Sequence, residues 1–350
     1  MTRIVTPVVQ EAADDRSGPG RAPARRRTAA IVFGALVLLT ILALLGPRAR
    51  FEGRWVEPDI GSDVDAYLAS GEAGVGGLKP GEAKGIVWAD PGTRESTPLS
   101  VVYLHGFSAD RHEVEPLVTD LGKALGANVF FQRLRGHGRD GDALGEASVA
   151  DWLADASEAV AVGARVGDQV VLVGTSTGGT LALWAAAQPE AEGRIAALVL
   201  ISPNLGLRDP SARALTWPWG GVVARAVVGP ERCFEPETPE QALHWTVCYP
   251  TRALLPMMAM VGHVRSMDLG RVRVPTLLFY SSSDQVVDAQ ETARILGGLG
   301  GDGPTVHLVE DSGDPAAHVI AGAIMSPGTT DRVRERILDV LEEEGLPEGR

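Results

Sequence analysis

Along most of this chain, short apolar runs alternate with longer amphipathic stretches. The runs at 99–104, 127–132, 169–173, 195–201, 274–280 and 305–309 are rich in Val, Leu, Ile and Phe. Runs of that length, bounded by Gly, Pro and Asp, read as buried strands. Between them, the stretches at 113–125, 149–165 and 178–188 carry helical spacing. In Val149-Ala-Asp-Trp-Leu-Ala-Asp155 the apolar side chains recur at the spacing of one helix face, suited to packing on a sheet. Strand and helix in alternation predict an α/β fold, a mainly parallel sheet flanked by helices. Ile86–Trp88 is expected to begin that sheet.

The rhythm breaks twice. At the front, Thr28 to Gly46 is a stretch of 19 residues without a charge. At 1.5 Å per residue this makes about 28 Å of helix, close to the roughly 30 Å hydrocarbon core of a bilayer. Arg21 and Arg25–Arg27 precede it, and Gly46-Pro-Arg-Ala-Arg50 follows. A cleaved signal has a shorter apolar region and a small-x-small cleavage site. The expectation is therefore an uncleaved single-pass transmembrane anchor at 28–46. A disordered basic tail is expected at 1–27, a linker at 47–84 and a catalytic domain at 85–350. The arginines on the amino side place the tail in the cytoplasm and the catalytic domain outside it. The second break, from about 204 to 271, holds Trp217, Trp219, Trp245, Cys233, Cys248 and Pro256-Met-Met-Ala-Met260. A Cys233–Cys248 disulfide fits an oxidising compartment and two thiols fit a reducing one; spacing does not choose between them.

Charge follows the same division. Residues 1–50 carry eight arginines and three acids, a net +5, which leaves −18 on the rest of a chain whose total is −13. A basic front suits anionic headgroups. An acidic main domain argues against nucleic acid as a partner. Local spacing displays no metal-ligand cluster and no phosphate loop, so neither metal nor cofactor is expected.

The chemistry is concentrated at strand ends. Gly174-Thr-Ser-Thr-Gly-Gly179 follows the apolar run at 169–173 and opens a helical stretch. That is a nucleophile elbow in its strand–turn–helix setting, with Ser176 as the nucleophile. A serine hydroxyl needs a base, and the base needs a carboxylate to fix its tautomer. Asp284 lies just past the run at 274–280, and His318 lies past the run at 305–309. Asp288 is the alternative acid. His307 falls within a strand and His263 within a helical stretch, so neither has a strand-end setting. The tetrahedral intermediate needs two donors. The N–H of Thr177 is one; the N–H of Phe107, in His105-Gly-Phe-Ser108 after the run at 99–104, is the other. The His105 side chain is expected to shape that loop without transferring protons.

Together, His105-Gly106-Phe107, Arg135-Gly-His-Gly138, the elbow, Ser283-Asp284 and His318-Val319 make the chain resemble the α/β-hydrolase superfamily. The resemblance is to its serine aminopeptidase-like, monoacylglycerol lipase-like and carboxylesterase branch. It implies an α/β-hydrolase fold with a lid inserted at about 205–271, whose aromatic and Met side chains either face the substrate or form the lid's own core. The expected activity is hydrolysis of a carboxylic ester, such as a lipid or other apolar acyl ester, through an acyl-enzyme. An aminopeptidase-like peptidase and a catalytically silent binding protein are the alternatives.

Overall fold

A computed structural model describes residues 22–346. The basic tail expected at 1–27 lies outside the described residues as far as 21. Residues 22–27 instead form the first turns of helix α1 (Ala22–Leu44). Ala and Arg favour helix, and Pro23 falls in the first turn, where its missing N–H removes no bond. Arg26–Leu44 has the length and composition of a membrane span or a signal sequence, with a mean hydropathy of 2.2. The chain divides into two compact units between Gly46 and Pro47.

The second unit begins with α2 (Val64–Ala73) and then builds a sheet. Its strands are β1 (Gly85–Val87), β2 (Thr97–Leu104), β3 (Asn128–Gln132), β4 (Gly167–Thr175) and β5 (Ile195–Ile201). After an insertion containing β6 (Glu231–Cys233) and β7 (Cys248–Pro250) come β8 (Thr276–Tyr280) and β9 (Pro304–Leu308). The spatial order in the main sheet is β1-β3-β2-β4-β5-β8-β9. Every neighbouring pair is parallel except β1 with β3. This is the α/β-hydrolase architecture.

Helices α3 (Leu117–Ala124), α4 (Gly141–Leu144), α5 (Val149–Val166) and α6 (Thr177–Ala186) connect the first five strands. The stretch expected to be helical from 113 becomes α3 only at Leu117. Pro116 lacks a helical N–H and disfavours α backbone at Glu115. Helix α5 starts where the sequence caps it: Ser148 and Asp151 form a reciprocal capping box. Its apolar face buries Trp152, Leu153, Ala156 and Val160 against the sheet.

The insertion between β5 and β8 holds α7 (Gly220–Val228), α8 (Pro239–His244) and α9 (Leu254–Val264). Cys233 and Cys248, opposed across the antiparallel β6–β7 pair, form a disulfide. Helix α9 packs on α5 and α6 as well as on residues 210–216 of the insertion, and Met257, Met258 and Met260 are buried in the main core. The methionines are therefore buried interior packing. What remains above the sheet, residues 204–253, is the cap. It turns apolar side chains outward: Trp217 is 63% exposed and Val227 80%. The chain closes with α10 (Ala289–Leu296) and α11 (Pro327–Glu343).

Candidate active site

Ser176 sits between the end of β4 and the start of α6, with φ 49° and ψ −114°. A non-glycine residue seldom adopts that region, and it persists only where its surroundings impose it. Here they do. The Ser176 N–H donates to the Ile201 carbonyl at 2.9 Å, and the Ser176 carbonyl accepts from Asn204 N–H at 2.9 Å. Both partners lie at or just past the end of β5, so the turn is tied to the neighbouring strand. The flanking glycines are required by space. A Cβ at Gly178 would lie 2.0 Å from the Leu104 carbonyl oxygen, and one at Gly174 would lie 2.6 Å from that of Gly178.

Asp284 follows β8 and His318 follows β9, so parallel strands bring both to the same carboxyl edge as Ser176. His318 Nδ1 and Asp284 Oδ2 are 2.8 Å apart, with Asp284 fully buried. The other Asp284 oxygen accepts the N–H groups of Val286 and Val287 at 2.7 and 2.9 Å, which fixes the carboxylate plane. Arg208 donates to the Asp284 carbonyl at 2.7 Å. Asp288, the alternative acid, instead caps α10 through Glu291 N–H. Burial alone would lower the affinity of His318 for a proton. Asp284, with Glu113 and Asp314 behind it, outweighs that effect and holds the imidazole above its ordinary value. The structure thus brings His318 to Asp284, while His263 stacks on Phe51 and His307 lies in β9.

Phe107 and Thr177 frame the other side of the elbow. Among the described residues, the N–H groups of Phe107 and Thr177 have no intramolecular acceptor, so both remain free to donate. The Phe107 ring packs edge-on to Tyr249, with centroids 5.2 Å apart. Two buried histidines build this loop. His105 Nε2 accepts the Leu134 N–H at 3.1 Å while its Nδ1 meets the Gly106 carbonyl at 2.9 Å. His137 Nε2 accepts the Ser108 N–H at 3.1 Å. Burial pushes His105 down to about 4 and His137 well below its ordinary value, so both stay neutral with their nitrogens spent on the backbone.

Two further carboxyls at the site lie outside the strand-end residues that the sequence pattern points to. Glu113 is buried behind the Phe107 loop. It accepts Gly106 N–H at 2.8 Å and Tyr103 O–H at 2.9 Å, and the Tyr103 oxygen is 3.0 Å from Thr175 Oγ1, beside the nucleophile. Burial pushes Glu113 up to about 7 despite those donors. Asp314 organises the histidine loop. One of its oxygens accepts Ala316 N–H, and the other accepts those of His318 and Val319 at 3.0 and 2.8 Å. A proximity signal existed for Asp314, four residues before His318. None existed for Glu113, whose role depends on Gly106 and Tyr103 folding over it.

Comparisons with known proteins agree with the fold. A model of the Alpha/beta hydrolase family matches residues 101–323. The chain is 29% identical over 213 residues to a thermostable monoacylglycerol lipase of Bacillus sp. (strain H-257), covering 60% of this chain and 80% of that one. Its fold is similar to a structure from work on LipS and LipT, two metagenome-derived lipolytic enzymes (TM-score 0.62, 21% identity, 76% of this chain and 99% of the other). It is also similar to a soluble variant of monoglyceride lipase from Saccharomyces cerevisiae (TM-score 0.57, 14% identity, 75% and 91%).

Proposed function

The chain belongs to the alpha/beta hydrolase family, and on that premise we propose that it is a membrane-anchored serine hydrolase that cleaves carboxylic esters. In this reading His318, with Nδ1 held by Asp284, uses Nε2 to take the Ser176 proton as Oγ attacks the ester carbonyl. The N–H groups of Phe107 and Thr177 receive the oxyanion. Collapse of the tetrahedral intermediate expels the alcohol, which takes the proton from His318. Water then repeats the sequence on the acyl-enzyme. Asp284 orients the imidazole and stabilises its cation without itself taking a proton.

The observation that carries the reading is the forced backbone of Ser176 at the sheet edge that also holds the His318–Asp284 pair. An apolar acyl group is favoured over a peptide by the cap, whose outer face exposes Trp217, Val222, Val223 and Val227. The relatives named as monoacylglycerol lipases support the same substrate class. Helix α1 is read as an uncleaved anchor, and the Cys233–Cys248 disulfide suits a domain outside the cytoplasm. Labelling by a fluorophosphonate probe tests the chemistry. The wild-type chain is expected to react once, and Ser176→Ala not at all while keeping its melting temperature. Labelling that persists in Ser176→Ala overturns the assignment. Protease treatment of intact cells tests the orientation, since it removes the domain only if the domain lies outside.

A further inference from the structure

Four titratable side chains beside the oxyanion loop take no part in the chemistry above. Glu82 comes from the turn before β1, Asp110 and His112 from the loop after β2, and His244 from the end of α8 in the cap. One donor atom from each lies within 4.8 Å of all the others. His244 Nδ1 is 2.9 Å from Asp110 Oδ2 and 3.2 Å from Glu82 Oε1. His112 Nδ1 is 2.9 Å from Asp110 Oδ1 and 3.9 Å from Glu82 Oε1. Bonds of about 2.0–2.1 Å in a tetrahedral zinc site set neighbouring ligand atoms about 3.3–3.4 Å apart. The four measured separations bracket that value.

Charge points the same way. The carboxylate side chains are only 2% and 6% exposed, whereas the imidazoles reach solvent at 25% and 30%. Among the described residues, neither carboxylate forms an ion pair with Lys or Arg, and Glu82 Oε2 is buried without a hydrogen-bond partner. Lys79 and Arg111 act on Glu82 only at longer range. As a ligand set, two carboxylates and two imidazoles carry a charge of −2, which a divalent cation cancels. Two nitrogen and two oxygen donors suit zinc better than calcium or magnesium, which take oxygen.

We propose that Glu82, Asp110, His112 and His244 bind one zinc ion, and that this ion fastens the cap to the oxyanion loop. The fastening is short in sequence on both sides. Thr246, two residues past His244, donates its N–H to the Ser108 carbonyl at 2.7 Å, and Ser108 directly follows Phe107. Trp245 between them packs with Ala109 and with Val319, the neighbour of His318. The rival arrangement is a closed network in which Glu82 keeps a proton. Burial and the Asp110 carboxylate favour it by pushing Glu82 up to about 9.

Calorimetric titration of the full chain in detergent, stripped with a chelator, separates the two. Zinc chloride is the probe. One equivalent is expected to bind with a dissociation constant in the micromolar range or below and to raise the melting temperature. His112→Gln and His244→Gln should each weaken binding at least tenfold while keeping the near-ultraviolet circular dichroism of the stripped wild type. Absence of saturable binding overturns the proposal, and so does binding that neither substitution weakens, which is an adventitious ion only. The titration requires no turnover, so its result is independent of the hydrolase reading. Ser176→Ala should bind zinc as the wild type does.

Discussion

Along the sheet edge, Ser176, Asp284 and His318 are all less than a tenth exposed, and backbone hydrogen bonds hold each of their turns. In the cap, by contrast, Trp217 and all four valines of α7 turn their side chains to the outside. The disulfide closes the cap on itself, and the cap is tied to the sheet edge through Arg208 and Asp284, the Thr246–Ser108 bond, the Trp245 cluster, the Phe107–Tyr249 contact and the His244 carboxylate group. The contrast separates two jobs. Attacking and accepting atoms must be held to a fraction of an ångström, which dense burial achieves. A cover that meets an apolar group needs exposed apolar surface, which the outer face of the cap supplies.

The predictions test whether these jobs are separable. Ser176→Ala should lower ester turnover by about five to six orders of magnitude without disturbing the cap, as measured by kcat on short acyl esters. Asp284→Asn should cost about 10⁴-fold in kcat, because the wrong imidazole tautomer is then favoured. In the wild type kcat/KM should rise with pH through a value above the ordinary His range, since His318 is held protonated for longer and must be neutral to act. In Asp284→Asn that limb should move to lower pH, as burial then dominates.

Glu113→Gln sharpens the comparison from behind the elbow. It should lower kcat less than tenfold, far less than loss of a triad member, and shift the acid limb by under about one pH unit, downward, because one negative neighbour of His318 is gone. Its effect on stability has a definite sign. Glu113 is held above its ordinary value, so the folded state keeps its proton longer than the unfolded chain does. The associated stability is complete below about 4.5 and is lost as pH rises through about 7. The Gln variant should lack that decline, a difference of at most about 3 kcal/mol by chemical denaturation. The smallest effect on turnover is expected from Cys233→Ser with Cys248→Ser. At most about 3 kcal/mol of loop-closure stabilisation is lost for the 15-residue span. Fluorophosphonate labelling should continue, while the preference among acyl chain lengths broadens. Loss of labelling in that variant breaks the separation of edge from cap.

What the sequence revealed follows the same division. Strands, elbow and strand-end residues depend on local pattern: an apolar run, glycines at 174 and 178, an acid or a histidine just beyond a run. Those signals named Ser176, Asp284 and His318 and the sheet around them. The burial of helix α9 was not legible, because Pro256-Met-Met-Ala-Met260 falls in the irregular stretch, and apolar character alone does not tell cap from core. Glu113 and the cluster of Glu82, Asp110, His112 and His244 were invisible for another reason. Their meaning comes from contacts between residues up to 162 positions apart, and no local spacing encodes such contacts.

Strands β5 and β8 pair directly, Leu198 with Thr276 through Ile201 with Phe279. Because the pair is parallel, the insertion leaves the sheet at the carboxyl end of β5 and must cross over to the opposite edge to begin β8, a crossover that ends with α9. Between Arg208, whose side chain holds Asp284, and the start of α9, its length can change without resetting the register of any strand. Selectivity and chemistry are in this sense separately heritable. A lineage can change what enters the site by replacing one contiguous stretch of DNA, while the codons for serine, aspartate and histidine remain outside it.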